Sequence, residues 1–161
     1  MTNKGISQDD FLQGVKKQQA LVRKLFASHK RRNECIDELT KQRYGHLVGK
    51  FFKADGERFK HYKGVTYYIA AVHGNNKDSA TDEVVISLEC RFIMSSAVHP
   101  GFRIECDETH DNIGFYTEMF RFGLTDNLDE ILAPLYIAEE KAAKEVSAVY
   151  DKFIDKFLKK G

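Results

Sequence analysis

The spacing of apolar residues changes twice along this chain, and those changes limit its fold more than any other feature. From residue 7 to 42, Phe11, Val15, Val22, Leu25, Phe26, His29 and Ile36 repeat on one face at about 100° per residue, the spacing of an amphipathic helix. From 44 to 122 the chain breaks into short runs rich in aromatic and β-branched residues: YGHLVGKFF, VTYYIAAV, EVVISLECRFI and GFYTEMFRF. Turn-formers separate them, namely ADGE, KG, HGNNKDS and HPG. From 126 to 160 helical spacing returns through Leu128, Ile131, Leu132, Leu135, Ala138, Ala142, Val146, Val149, Phe153 and Phe157. Helix, strands, then helix predicts an α+β chain in three segments: 1–43 a basic N-terminal helix, 44–124 a small β-barrel or strongly bent sheet, and 125–161 an acidic, amphipathic helical segment.

Local signals refine this. Ser7 with Asp10 resembles a capping box and starts the first helix, while Gly14 weakens it. Pro134 divides the last segment into a short helix and a longer one that starts near Pro134 itself. Gly64 supplies a positive-φ position in the turn between two strands. The segment VHPGFRIECDETHDN reads as a loop-rich insertion.

The net charge of +1 conceals a split. Residues 1–63 hold 15 Lys and Arg against 7 Asp and Glu, and the remainder holds 10 against 17. That points either to a polyanionic or acidic partner, or to a dipole used in self-association or internal pairing. Between Phe11 and Asn33 there are seven basic residues and no acidic one: Lys16, Lys17, Arg23, Lys24, Lys30, Arg31 and Arg32. Six form two rows with a seven-residue period, opposite the Phe11–Val15–Val22 face. Solvated helix faces usually mix signs, because like charges one turn apart repel. A single helix over this stretch spans roughly 50 Å at 1.5 Å per residue, long enough to follow a phosphate backbone. More positive groups follow: Lys41, Arg43, Lys50, Lys53, Arg58, Lys60, His61 and Lys63. Tyr44, Phe51, Phe52, Phe59, Tyr62, Tyr67 and Tyr68 lie among them; such aromatics either stack on bases or form a core, and core is the commoner use.

The strings HYKG and VTYYIAAV, then EVVISLECR, then FYTEMF resemble a small bacterial family of SH3-type barrels, similar to the KOW and Tudor groups. The matching positions are His61, Tyr62, Lys63, Gly64, Tyr67, Val72, Glu83, Val84, Val85, Arg91, Glu118, Met119 and Phe120, about half the chain; the segment before the last strand is longer than the family pattern. The resemblance implies an SH3/KOW-like barrel flanked by helices, with Lys60, His61 and Lys63 at a contact loop. The whole layout also resembles the MotB-like early proteins of large tailed enterobacterial phages. That likeness implies non-specific DNA binding that modulates transcription or compacts the nucleoid.

Other chemistries find little support. There is no P-loop, GxSxG, HExxH or dinucleotide fingerprint. The richest polar cluster, ECDETHD, places Cys106, Asp107, Glu108 and His110 together, with His99, Cys90 and His73 scattered elsewhere. It lacks the short Cys/His pairs of a structural zinc site, so an exposed acidic loop is expected and no metal or cofactor. A Cys/His nucleophile pair is not singled out, and His29 reads as a core or boundary residue. Cys35, Cys90 and Cys106 are odd in number without CxxC spacing, as free thiols in a reducing compartment are. No run of about 18 apolar residues and no apolar signal core is present, so a cytoplasmic chain with no membrane partner is expected, at the host nucleoid.

These residues predict a non-enzymatic, non-sequence-specific binder of double-stranded DNA, with possible partners among host nucleoid or transcription proteins. The fifteen positive residues named above are its candidate contacts. The acidic C-terminal part is expected to project away from DNA and either to self-associate through Ala142, Val146, Val149 and Phe153 or to moderate DNA affinity by competing for the basic face. The alternatives are a Tudor-like adaptor that reads a peptide and docks on transcription machinery or a host chromatin protein, and, with least support, an enzyme acting on nucleic acid.

Overall fold

A computed structural model describes residues 5–25, 28–77, 83–95 and 113–157. The first helix, α1, runs Gln8–Leu25. Ser7 Oγ accepts the Asp10 N–H at 3.1 Å, and Asp9 and Asp10 lie in the first turn, where the helix dipole favours acid. Phe11, Val15 and Val22 are buried as their spacing predicts.

The helix does not continue to residue 42. A second helix, α2, spans His29–Tyr44 and starts after Ser28, which takes an extended conformation (φ −61°, ψ 131°). At 1.5 Å per residue, α1 is about 27 Å long, and α2 folds back on it. Gly14 makes the close packing possible: a Cβ there would lie 3.0–3.1 Å from the Leu39 methyls. The residue that weakens the helix locally is the one that lets its partner approach.

Five strands form one sheet: β1 (Phe51–Lys53), β2 (Thr66–Asn76), β3 (Val84–Ser95), β4 (Ile113–Gly123) and β5 (Tyr136–Ile137). The antiparallel order is β4-β3-β2-β1-β5. Phe51, Phe52 and Lys53 pair with Tyr68, Tyr67 and Thr66, and Phe51 and Phe52 pair with Ile137 and Tyr136 on the other side. The sheet is open, so the barrel expectation is corrected. Closure would require β4, of eleven residues, to pair with β5, of two. The expected strand over 44–52 is also shorter: Tyr44 ends α2, Gly45–Leu47 is a 3₁₀ turn, and pairing begins at Phe51. Between β1 and β2 lies a 3₁₀ segment, Glu57–Tyr62. It is closed by Ala54 N–H on the Val65 carbonyl and Gly64 N–H on the Ala54 carbonyl, both 2.9 Å, with Gly64 at φ +87° as its turn position requires.

After β4 comes α3 (Leu128–Leu132), capped by Asn127, whose Oδ1 accepts the Asp129 and Glu130 N–H groups at 3.1 and 3.4 Å. Pro134 sits in a 3₁₀ turn, Ala133–Leu135, and breaks the helical run as expected. The longer helix, α4 (Glu139–Phe157), starts five residues later than Pro134, because Tyr136 and Ile137 extend as β5.

The chain divides into two compact units, each assembled from separated stretches rather than following 1–43, 44–124 and 125–161. One comprises Met1–Gly49, Ile69–Cys90 and Met119–Pro134; the other comprises Lys50–Tyr68, Arg91–Glu118 and Leu135–Gly161.

In the first unit, Phe11, Val15, Ile36, Tyr44, Leu47, Ile69, Val72, Ile86, Leu88, Leu128 and Leu132 form the core, with Phe11 edge-on to Tyr44 at 5.7 Å. Here α2 serves as a surrogate strand. Asp37 Oδ1 accepts the Gly74 N–H at 2.9 Å, and Asn33 Oδ1 accepts the Asn76 N–H at 3.1 Å. Four residues of helix rise about 6.0 Å and two residues of strand about 6.6 Å, so side chains at i and i+4 match alternate strand amides. Gln19 Nε2 also donates to Asn76 Oδ1 at 2.9 Å.

In the second unit, Phe52 contacts Phe59 and Tyr67 with ring centroids 5.5 and 5.3 Å away, and Tyr67 meets Phe92 at 5.1 Å. Most of the aromatics interleaved with basic residues are therefore core. Against the other face of β1, Glu145 of α4 pairs with Lys53 Nζ at 3.2 Å and accepts the Thr66 hydroxyl, with Ala142 buried one turn earlier.

Candidate nucleic-acid interface

The fold sorts the fifteen candidate residues into distinct environments. Lys16, Lys17, Arg23 and Lys24 are exposed on α1, on the side away from Phe11, Val15 and Val22. Lys30 and Arg31 are exposed in the first turn of α2. Because the helices form a hairpin, Arg23 and Lys24 at the end of α1 share one end of it with Lys30 and Arg31 at the start of α2. The seven-residue rows 16–23–30 and 17–24–31 are cut before their third members, so they do not form a straight stripe. Among the described residues, Lys16, Lys17, Lys24, Lys30 and Arg31 have no carboxylate partner.

Elsewhere the cations are held. Lys41 pairs with Asp37 at 2.8 Å, and that hydrogen bond raises its pKa above the ordinary lysine value. Lys53 pairs with Glu145; Lys60 lies 3.3 Å from Glu57 and Lys63 lies 3.6 Å from Asp55. Lys50 is exposed, its ammonium 5.0 Å from the centre of the Tyr136 ring. Arg58 is exposed, and the side chain of His61 lies outside the described ones.

Two candidates are corrected outright. Arg32 is 4% and Arg43 is 6% exposed, so neither is a solvent-facing contact. Arg43 belongs to a polar lock instead. Its Nη1 donates to Asp129 Oδ2 at 2.6 Å and its Nε to Gln8 Oε1 at 2.9 Å, while His46 Nε2 lies 2.5 Å from Asp129 Oδ1. Tyr44 Oη, with its pKa raised by burial, reaches Gln8 Oε1 and the Asp126 carbonyl, each at 3.1 Å. Burial pushes the Asp129 carboxyl up, but the hydrogen bonds from His46 and Arg43 outweigh it, and its pKa lies below the ordinary value. Glu145 follows the same logic: burial opposes ionisation, and Thr66 and Lys53 overcome it.

Sequence reasoning missed this lock, since residues 43, 46 and 129 share no local pattern. Part of the charge split goes into such pairs: the acidic residues Asp129 and Glu145 from the second half pair with Arg43 and Lys53 from the first.

The remaining expectations place as follows. His29 is exposed in the first turn of α2, not at the core, because the chain turns before it. Ala142 is buried inside its own unit and so does not offer itself for self-association; Val146 is half-buried, and the side chains of Val149 and Phe153 lie outside the described ones. Cys106, Asp107, Glu108, His110 and His99 also lie outside the described residues. Among the described residues no group of three or more His, Cys, Asp or Glu is placed to hold a metal ion; His73 comes within 3.8 Å of Asp37 and 4.0 Å of Glu89. No helix among them is long and apolar enough to cross a membrane. Comparison with protein-family models, curated proteins and solved structures found no match for this chain.

Proposed function

We propose that this chain binds double-stranded DNA with little sequence preference, gripping the phosphate backbone with the outer face of α1 and the start of α2. The observation that carries the reading is the contrast between Lys16, Lys17, Lys24, Lys30 and Arg31, which have no described carboxylate partner, and Lys41, Lys53, Lys60 and Lys63, which each have one. Lys16, Lys17, Lys24, Lys30 and Arg31, exposed on the hairpin without a described carboxylate partner, are available to an external anion. Contacts of this kind position a protein on the duplex without reading bases. The resemblance to MotB-like phage proteins supports the same role: an early protein acting at the host nucleoid, modulating transcription or compacting DNA. On this reading the β1–β4 meander is an opened counterpart of the KOW-like module suggested by HYKG, and the chain is not an enzyme and needs no cofactor.

One observation favours the adaptor alternative, in which the sheet docks a peptide of a nucleoid or transcription protein. Tyr68 is 38% exposed and lies 5.2 Å from Phe51 on the sheet. Salt separates the readings. Fluorescence anisotropy with two unrelated 30-base-pair duplexes should give equal affinities, falling with a log–log slope of up to about −5 if the six hairpin cations each neutralise a phosphate. Absence of binding at low salt refutes the DNA reading and leaves the adaptor.

A further inference from the structure

The outer face of the sheet in the first unit carries a cleft that the DNA-binding reading does not use. Along β3, Val84, Ile86 and Leu88 are buried in the core, while Val85 and Ser87 alternate with them and face the other way. Lys77 N–H donates to the Glu83 carbonyl at 2.8 Å, so these two residues oppose each other across β2 and β3, and Asn75 opposes Val85. With Arg121 and Gly123 of β4 they line an open cleft of about 530 Å³ that lies wholly within the first unit. Gly123 helps to keep it open: an added Cβ there would meet only Asp126 Oδ2, at 3.6 Å.

The polar groups of the cleft are mostly donors without acceptors. The Arg121 guanidinium, the Ser87 hydroxyl and the Asn75 amide have no described side-chain partner. Lys77 Nζ lies 3.8 Å from Glu83 Oε2, but these side chains are 61% and 59% exposed, and a pair so hydrated holds its lysine weakly. Glu83 is the one carboxylate among the lining residues, against two cations. A phosphate group offers these donors more acceptor oxygens than a carboxylate does, and it matches the guanidinium fork. A bare phosphate would leave most of the volume empty, whereas about 300–1,000 Å³ is the usual size of a site for an organic molecule. Half-buried Val85 supplies an apolar contact for such a body.

We propose that this cleft binds a small organic phosphate, with the phosphate against Arg121 and Lys77 and the organic body over Val85 and Gly123. Ser87 and Asn75 donate to its oxygens. The site stands apart from the DNA-binding surface, because none of these residues belongs to α1 or α2.

Amide NMR spectra of the full chain test this during titration with adenosine monophosphate, phenyl phosphate, glycerol phosphate and inorganic phosphate at constant ionic strength. At least one organic phosphate should shift the amides of residues 75, 77, 83–87 and 121–123, and should bind at least about tenfold more tightly than inorganic phosphate. If none shifts those amides, or if inorganic phosphate binds equally well, the proposal is overturned. Arg121→Gln removes an exposed cation, and Gly123→Leu fills the cleft at a position whose φ is not positive. Each should weaken binding by about tenfold or more, with the urea midpoint little changed. Undiminished binding in Arg121→Gln overturns the site, and this variant decides the matter even if Gly123→Leu fails to fold. Binding of an organic phosphate without any duplex binding keeps the cleft and refutes the DNA reading; duplex binding without shifts at the cleft refutes the cleft alone.

Discussion

Replacing Gly74 with alanine tests the way α2 stands in for a strand. A Cβ at this position would lie 2.0 Å from Thr40 Oγ1, 2.9 Å from Thr40 Cβ and 3.2 Å from Thr40 Cγ2. Rotating Thr40 does not relieve the clash, because its Cβ stays too close and its hydroxyl leaves the 2.8 Å hydrogen bond to the Ile36 carbonyl. The helix must therefore move off the strand by about 1 Å. Overpacking of this kind costs about 1–3 kcal/mol. The same movement stretches the 2.9 Å bond from Gly74 N–H to the Asp37 carboxylate, a charge-assisted contact worth about 1.5–3 kcal/mol. Restricting the unfolded chain returns about 0.4–1 kcal/mol. The net loss is about 2–5 kcal/mol, large against a typical total of about 5–15 kcal/mol. Urea unfolding followed by circular dichroism measures it. Thr40→Ala removes two of the three clashing atoms, so the double variant should be at least about 1 kcal/mol more stable than the sum of the single effects. A neutral Gly74→Ala, or strict additivity with Thr40→Ala, would show that the helix does not lie against the strand as described.

Charge reversal of Lys16 and Lys17, or of Lys30 and Arg31, should weaken binding equally on two unrelated duplexes and lower the salt slope by about 1.8 per pair; reversing Lys60 and Lys63 should do less, and the opposite ranking would move the interface to the 3₁₀ segment. Asp129→Asn leaves buried Arg43 without its carboxylate and should cost about 3 kcal/mol in denaturant unfolding; a loss below about 0.5 kcal/mol would contradict the lock. Because the folded pKa of Asp129 lies below its ordinary value of 3.8, its stabilisation is present above that value and is lost as pH falls through the lower folded one. Wild-type stability should therefore fall more steeply than that of Asp129→Asn below about pH 4, and parallel curves would exclude the linkage. Glu145→Gln should cost about 1 kcal/mol by weakening the Lys53 and Thr66 contacts, with duplex affinity nearly unchanged if the hairpin is the contact surface.

Local signals were legible wherever the physics is local. Ser7 caps α1, Gly64 turns with positive φ, and Pro134 interrupts the helical run, because each depends on a residue's own backbone preferences and near neighbours. The buried face of Phe11, Val15 and Val22 follows from helical period alone. The candidate interface was legible as composition and not as shape. The run without acid between Phe11 and Asn33 marked a stretch rich in exposed cations, but it could not separate exposed Lys30 and Arg31 from buried Arg32 beside them.

The amino-acid order by itself determined the α+β content, the position of the basic stretch and local features such as the Ser7 cap and the Pro134 break, since periodicity, capping and turn chemistry act over a few residues. Only the tertiary structure decided that the first helical stretch folds back as a hairpin, that the sheet stays open, and that Arg43 and Lys53 are paired with carboxylates while Lys16, Lys17, Lys24, Lys30 and Arg31 have no described carboxylate partner. Those outcomes depend on pairs such as Gly14 with Leu39, Gly74 with Thr40 and Asp129 with Arg43. Such pairs form across tens of residues, and no local pattern records which partner each side chain will meet.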